Sequence, residues 1–326
     1  MNDSKDWEDQ QLLELEPYRE LNYTPSIYEH PTLADYYSNM TSPIVLSIFA
    51  ASLLTIVNIS IFFSTVAWLR QRLNQTLRLP SIAMVSLYPI ISMAALFTLF
   101  VPYSWFVCHT VMHAMFMFGG PIFRMLLFRY VDSEQNYLKQ NGGEAVQLNT
   151  PPCCCWCVCL PLVVLTKTKM CISRCMVWQM PFVQGLIMLV LNVLYYGDVV
   201  LYRQVLFFFI PFIIASVVSG AWSLQITVRM ITKLHGNYQL RKKMFCLQLV
   251  IVLCKVQYLV LYEQLKAVPL GGDYPMNHTI YKQTIINILI LVEMVLVSLF
   301  AKSAYRTPVQ GENEELQKAE QQGTHI

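Results

Sequence analysis

Charged side chains are scarce in this sequence. Of its 326 residues only 13% are Asp, Glu, Lys or Arg, against 55% hydrophobic, and the mean hydropathy is +0.44. A soluble globule carries about 25% charged residues, so too little polar surface is left to cover one. A multi-span membrane protein is therefore the default reading. The start lacks a basic n-region followed by an apolar core, so no cleavable signal peptide is expected. Met1 to Asp35 instead holds nine acidic residues against Lys5 and Arg19, and it lacks the basic footprint of a nucleic-acid binder. There is no G-x-x-x-x-G-K-[ST] loop and no soluble segment large enough for a nucleotide engine, which argues against ATP-driven chemistry. No pair of carboxylates, metal triad or nucleophile–base arrangement stands out, so neither an enzyme nor a cofactor is expected.

What is present is a series of long uncharged runs. A span needs about 20 apolar residues to cross the hydrocarbon core, and no charge occurs between Asp35 and Arg70. That houses a first span near Ile44 to Trp68. The run from Arg78 to Arg124 is too long for one helix. Pro102, beside Tyr103 and Trp105, supplies a turn, since proline breaks helices and aromatics favour the interface. Spans are expected near Ser81 to Val101, Ser104 to Arg129, Cys175 to Tyr196, Val205 to Met230, Met244 to Lys266 and Thr279 to Ala301. The fold class is thus an all-α membrane protein, a seven-transmembrane helix bundle, with six or eight spans as the alternatives.

Lys and Arg placement sets the orientation. Sixteen fall on one side: Arg70, Arg72 and Arg78; Arg129, Lys139, Lys167, Lys169 and Arg174; Arg229, Lys233, Arg241, Lys242 and Lys243; Lys302, Arg306 and Lys318. Lys5, Arg19, Arg203, Lys266 and Lys282 fall on the other, which puts the N-terminus outside and the C-terminus in the cytosol. Three regions result: an extracellular acidic tail over 1–43, a membrane domain over 44–304 with a Cys-rich cytosolic loop at 131–174, and a disordered polar tail over 305–326. The sequons at Asn22, Asn39 and Asn277 all fall on the outer side and are N-glycosylation candidates.

Five cysteines, Cys153, Cys154, Cys155, Cys157 and Cys159, crowd the cytosolic loop between Pro151-Pro152 and Pro161. The cytosol disfavours disulfides. S-acylation would press the loop against the inner leaflet, each buried CH₂ contributing about 0.8 kcal/mol. Metal binding through the C-x-x-C of Cys154 and Cys157 lacks a separated second pair, and the cysteines can also be small residues without a special role.

Taken with the seven-span layout and the glycosylatable outer tail, several short motifs point the same way. Gly-Gly-Glu-Ala-Val (Gly142 to Val146) precedes Pro-Cys-Cys-Cys, and Pro181-Phe182 is expected to open the fourth span. Leu247-Gln248, Gly271-Gly272 and Leu289 to Glu293 complete the set. Over roughly Thr41 to Arg306 this resembles the organic solute transporter alpha family. The resemblance implies facilitated, bidirectional movement of amphipathic organic anions such as steroid or bile-acid-like conjugates. It also implies a single-span beta-type partner and a plasma-membrane location. Membrane lipids and a homo-oligomer are further candidate partners.

Intramembrane ionisable groups are costly and mark functional candidates. Lys255 and Glu293 lie near the middle of the sixth and seventh spans, at similar depths counted at about 1.5 Å per residue. They can pair, as a structural lock or as part of a pathway. Arg124 either snorkels to the inner boundary or, facing a cavity, offers a counter-charge to an anion. Gln248, Gln257 and Asn287, with Gln264 and Gln283, make the last two spans a candidate pathway wall or a helix–helix interface. Gly119-Gly120-Pro121 is expected to break or kink the third span. His109 and His113, at i,i+4, share a face suited to interhelical contacts or, less readily, to a metal.

A receptor is the competing plan, since Phe128-Arg129-Tyr130 imitates a receptor Asp-Arg-Tyr. The seventh span has no Asn-Pro-x-x-Tyr, and Cys108 has no partner cysteine between Tyr196 and Val205. A membrane scaffold without transport activity is the third reading.

Overall fold

At membrane depth the backbone must satisfy its own hydrogen bonds, so uncharged runs of this length become long helices. The structure, a computed structural model, describes residues 31–147, 162–235, 239–257, 260–261, 264–265, 268 and 276–306. Asn22, the five clustered cysteines and the tail beyond Arg306 lie outside the described residues.

A short helix, α1 (Leu33–Ser38), precedes α2 (Ser42–Arg72). Then come α3 (Gln75–Val85) and α4 (Leu87–Phe100), a 3₁₀ turn at Pro102–Ser104, and α5 (Trp105–Arg129). The turn stands where Pro102 and its aromatic neighbours predict it. A loop helix, α6 (Glu134–Asn141), leads to strands β1 (Ala145–Gln147) and β2 (Leu162–Val164). The chain continues through α7 (Lys167–Gly197), α8 (Val199–His235), α9 (Leu240–Ile251) and α10 (His278–Tyr305).

Among the described residues six helical segments are long and apolar enough to cross a membrane: Ser42–Arg72, Gln75–Phe100, Pro102–Arg129, Lys167–Gly197, Val200–Lys233 and His278–Tyr305. They match six of the seven predicted spans. The other, Met244 to Lys266, starts as α9 and passes into a π-helical segment, Val252–Gln257. Most of the chain between Gln257 and Met276 lies outside the described residues.

Two local expectations are corrected. Pro181 does not open the fourth span but sits inside α7, which starts at Lys167. Of the break and the kink expected at Gly119-Gly120-Pro121, the break does not occur, because α5 runs through it with Pro121 inside the helix. The glycines serve packing instead. A Cβ on Gly119 would stand 3.1 Å from Leu247 Cδ1 and 3.3 Å from Leu87 Cδ1, and one on Gly120 would stand 3.5 Å from Met180 Sδ.

Helix α5 is the hub and is mostly buried, whereas α8 is mostly exposed. Helices α7 and α8 pair along their length, and α10 packs on α2 and α4. Phe207, Phe208 and Phe212 on α8 and Phe182, Leu186 and Val193 on α7 are left exposed, as suits a lipid-facing surface. At one end Tyr36 Oη donates to Leu99 O at 2.9 Å, pinning α1 over the end of α4. The basic side chains gather at the opposite end, where Arg306 bonds Ser64 and Arg129 donates to Thr76 O.

That basic end also carries the hairpin. Strand β1 runs antiparallel to β2 in the register Ala145↔Val164, Val146↔Val163, Gln147↔Leu162. Gly143, at φ 96°, makes the turn into it, a backbone region that side chains rarely adopt. Tyr137 on α6 packs beneath; burial, with a smaller push from the Glu144 charge, raises its phenol to about 12 and keeps it neutral.

Candidate functional site

Arg124 comes from a run of apolar residues on the hub helix, so its guanidinium would be very costly to leave alone in hydrocarbon. It does not snorkel. The residue is 3% exposed and is enclosed by α5, α6, α7 and α8. Its Nη1 donates to Ser173 Oγ at 3.0 Å and to Thr227 Oγ1 at 3.1 Å. Its Nη2 lies 3.4 Å from Glu134 Oε2, and its guanidinium sits 4.7 Å from the Phe128 ring centroid. Glu134 is shared: Arg174 Nη2 donates to its Oε1 at 2.8 Å. One partly exposed carboxylate thus bridges a buried and an exposed arginine, two cations against one anion.

Above this centre a line of polar contacts climbs the α7–α8 seam. Ser173 and Ser223 hydroxyls lie 2.7 Å apart. Gln179 Nε2 donates to Ser216 O and Ser219 Oγ, and Ser216 Oγ returns a bond to Gln179 Oε1. Farther along, His113 Nε2 is 2.7 Å from Gln184 Oε1, which places the ring proton on Nε2. Asn192 Nδ2 donates to Thr110 Oγ1 at 2.8 Å. On the other side of the bundle Asn58 Nδ2 reaches Ser92 Oγ at 2.6 Å.

The predicted wall on the last two spans is less connected. Asn287 is buried, but its Nδ2 donates to Gln283 O within its own helix rather than across helices. Gln283 Oε1 is buried with no hydrogen-bond partner among the described residues. Gln248 is half-buried on α9. Glu293 is half-buried and close enough to Cys254 to interact electrostatically. The side chains of Lys255 and Gln257 lie outside the described residues, and with them the Lys255–Glu293 pairing. His109 and His113 do share a face, and they line a small closed space of about 10 Å³ with Cys254 and Ile290. No third metal ligand joins them among the described residues.

Asn39 is exposed at the end of α1, and Asn277 caps α10, its Oδ1 accepting from Ile280 N at 3.1 Å. Arg129, the receptor-like arginine, ties α5 to the backbone of α3 and rests on Met125 Sδ at 3.7 Å.

A family profile described as organic solute transporter Ostalpha matches residues 46–309. The chain belongs to the organic solute transporter alpha family. It is 70% identical over 297 residues to the organic solute transporter alpha-like protein of Drosophila melanogaster, covering 91% of this chain and 90% of that one. It is 24% identical over 270 residues to the organic solute transporter subunit alpha of Leucoraja erinaceus, covering 80% and 76%. No solved structure matches the chain. Family membership makes it a multi-pass membrane transporter subunit.

Sequence reasoning singled out Arg124 but missed the groups that hold it. A signal was available on α8, where Ser216, Ser219, Gly220, Ser223 and Thr227 repeat at three- and four-residue steps, the stripe of small residues that lets membrane helices approach. Nothing local marked Glu134. It arrives through a reversal at Asp132, whose φ is 62°, followed by extended Ser133 capping α6.

Proposed function

We propose that the chain moves amphipathic organic anions, such as steroid or bile-acid-like conjugates, by facilitated exchange, with Arg124 receiving the anionic end of the solute. The observation that carries this reading is the bridged carboxylate. Glu134 pairs with Arg124 and has a second partner in Arg174. A carboxylate or sulfate can therefore displace it without leaving Glu134 alone. Exchange of one anion for another avoids the cost of an uncompensated buried charge. The serines and glutamines of the α7–α8 seam would supply neutral donors beside the route. No nucleotide step is needed, and solute gradients set the direction.

The same reading includes a seventh span over Met244 to Lys266, supported by α9 and its π-helical continuation. It places the basic end in the cytosol and the acidic tail outside, at the plasma membrane, with Asn22, Asn39 and Asn277 open to glycosylation. The name of the Leucoraja relative, a subunit, supports a companion chain, for which a single-span beta-type protein is the candidate. Uptake of a labelled steroid sulfate is expected in cells expressing the chain with such a partner. Absence of uptake under every pairing, with surface expression verified, counts against the proposal.

The five loop cysteines are proposed to carry thioester-linked acyl chains. Hydroxylamine-sensitive palmitate labelling is expected, and changing all five to serine should remove it. Labelling that persists in that variant places the lipid elsewhere.

A further inference from the structure

Two neighbouring hollows at the basic end have opposite chemistry. The first, of about 430 Å³, lies between the hairpin, α6 and the ends of α8 and α9. That falls within the roughly 300–1,000 Å³ of small-molecule sites. Its described lining carries three cations, Arg229, Lys233 and Arg241, against one carboxylate, Glu144. Lys233 Nζ and Glu144 Oε2 are 3.9 Å apart and both exposed, a loose pair of little net worth. The neutral phenol of Tyr137 and the hydroxyl of Thr232 add hydrogen-bonding groups.

The second hollow, of about 290 Å³, runs between α7 and α8 beside the hairpin and is walled mostly by apolar groups, among them Ile172, Met176, Trp222 and Ile226, with Lys169, Ser173 and Ser223 as its polar members. Val146, Leu165 and Met230 line both hollows, so the two adjoin and share one wall at the hairpin. Trp222 is the residue type that settles where bilayer meets water. A greasy slot beside a cationic chamber, towards the end of the helices, has the polarity of an acyl chain joined to an acidic headgroup.

We infer that the two hollows form one binding site for an anionic glycerophospholipid of the adjacent leaflet, its phosphate among Arg229, Lys233 and Arg241 and an acyl chain in the groove beside Trp222. Charge complementarity favours an acidic headgroup over a zwitterionic one, because three cations meet one carboxylate. The apolar groove favours a molecule with chains over a free anion. Under the orientation proposed above, the leaflet is the cytosolic one, which is the leaflet rich in anionic lipid. Arg124 itself lines neither hollow, although its partner Ser173 stands in the wall of the second. A lipid seated there would hold the hairpin against α7 and α8.

The test uses the purified full-length chain in detergent, offered equal amounts of dioleoyl phosphatidylserine and dioleoyl phosphatidylcholine and examined by native mass spectrometry. Retention of phosphatidylserine over phosphatidylcholine is expected, with a loss of about tenfold or more in R229Q/K233Q/R241Q. Where that triple variant is unstable, the exposed single change Lys233→Gln should still weaken retention measurably. Ile226→Trp, which fills the groove and keeps every charge, should weaken it as well. R70Q/R72Q removes two cations from the same end outside the hollows and should leave retention unchanged. Glycerophosphoserine, the headgroup without chains, should compete poorly. Equal retention of the two lipids, no effect of the pocket variants, equal loss in R70Q/R72Q, or full competition by the chainless headgroup each overturns the assignment. The readout involves no transport and no membrane sidedness, so its failure is separable from failure of the transport reading.

Discussion

Arg124→Gln is expected to reduce uptake of a labelled steroid sulfate by about tenfold or more while most of the protein still reaches the cell surface. The two halves of that expectation have different origins. Transport falls because the anion loses its counter-charge. Folding survives because Glu134 keeps Arg174 at 2.8 Å and is itself partly exposed, so no buried carboxylate is orphaned. Glu134→Gln should act in the opposite sense on affinity. Removing the internal competitor leaves Arg124 available to solute, and KM is expected to fall about threefold. That variant should also be the less stable of the two, since stripping one partner from a buried pair costs roughly 3–5 kcal/mol; here Ser173 and Thr227 soften the loss. Kinetics normalised to surface protein decide the matter. If both variants merely lower the amount of protein, with KM unmoved, Arg124 is a structural brace and its role in transport is abandoned.

The second large effect concerns packing. Gly220→Leu should destabilise the protein by about 1–3 kcal/mol, read as a lower apparent Tm in detergent and reduced surface delivery. At Gly220 even a Cβ would overlap the Met180 side chain and stand 3.3 Å from Met176 O, a backbone atom that cannot swing aside. Gly185 is the internal comparison, because a Cβ there meets nothing within 4 Å. Gly185→Ala should be neutral or stabilising by up to about 1 kcal/mol through helix propensity. Equal behaviour of the two variants would mean that α7 and α8 do not approach as closely as described.

Where physics acts on single segments, the sequence was readable. The Asp35–Arg70 run had to be a helix because hydrocarbon offers no other partner to its backbone, and α2 spans Ser42–Arg72. Pro102 turned the chain because its ring forbids continuation beside interfacial aromatics. Where an outcome depends on a neighbour, the sequence was silent. Gly119-Gly120-Pro121 looks like a break in isolation. The helix runs through it, and Leu87 and Leu247 from two other helices occupy the space that the missing Gly119 side chain leaves. Arg124 near a helix end suggests snorkelling unless one knows that Ser173 and Thr227 face it from two other helices. Conversely, Asn287 looked like an interhelical donor, and its own preceding turn claimed it first.

The β1–β2 clasp has a practical consequence. Its register brings Gln147 and Leu162 face to face, so the clasp fixes both ends of the fourteen-residue sequence 148–161. Ring-closure entropy grows only logarithmically with length, and doubling such a ring costs about 0.6 kcal/mol. A fluorescent reporter or affinity tag inserted at 148–150, ahead of the five cysteines, would add little to the cost of closing the clasp, which makes that point the natural handle for following this protein in living cells.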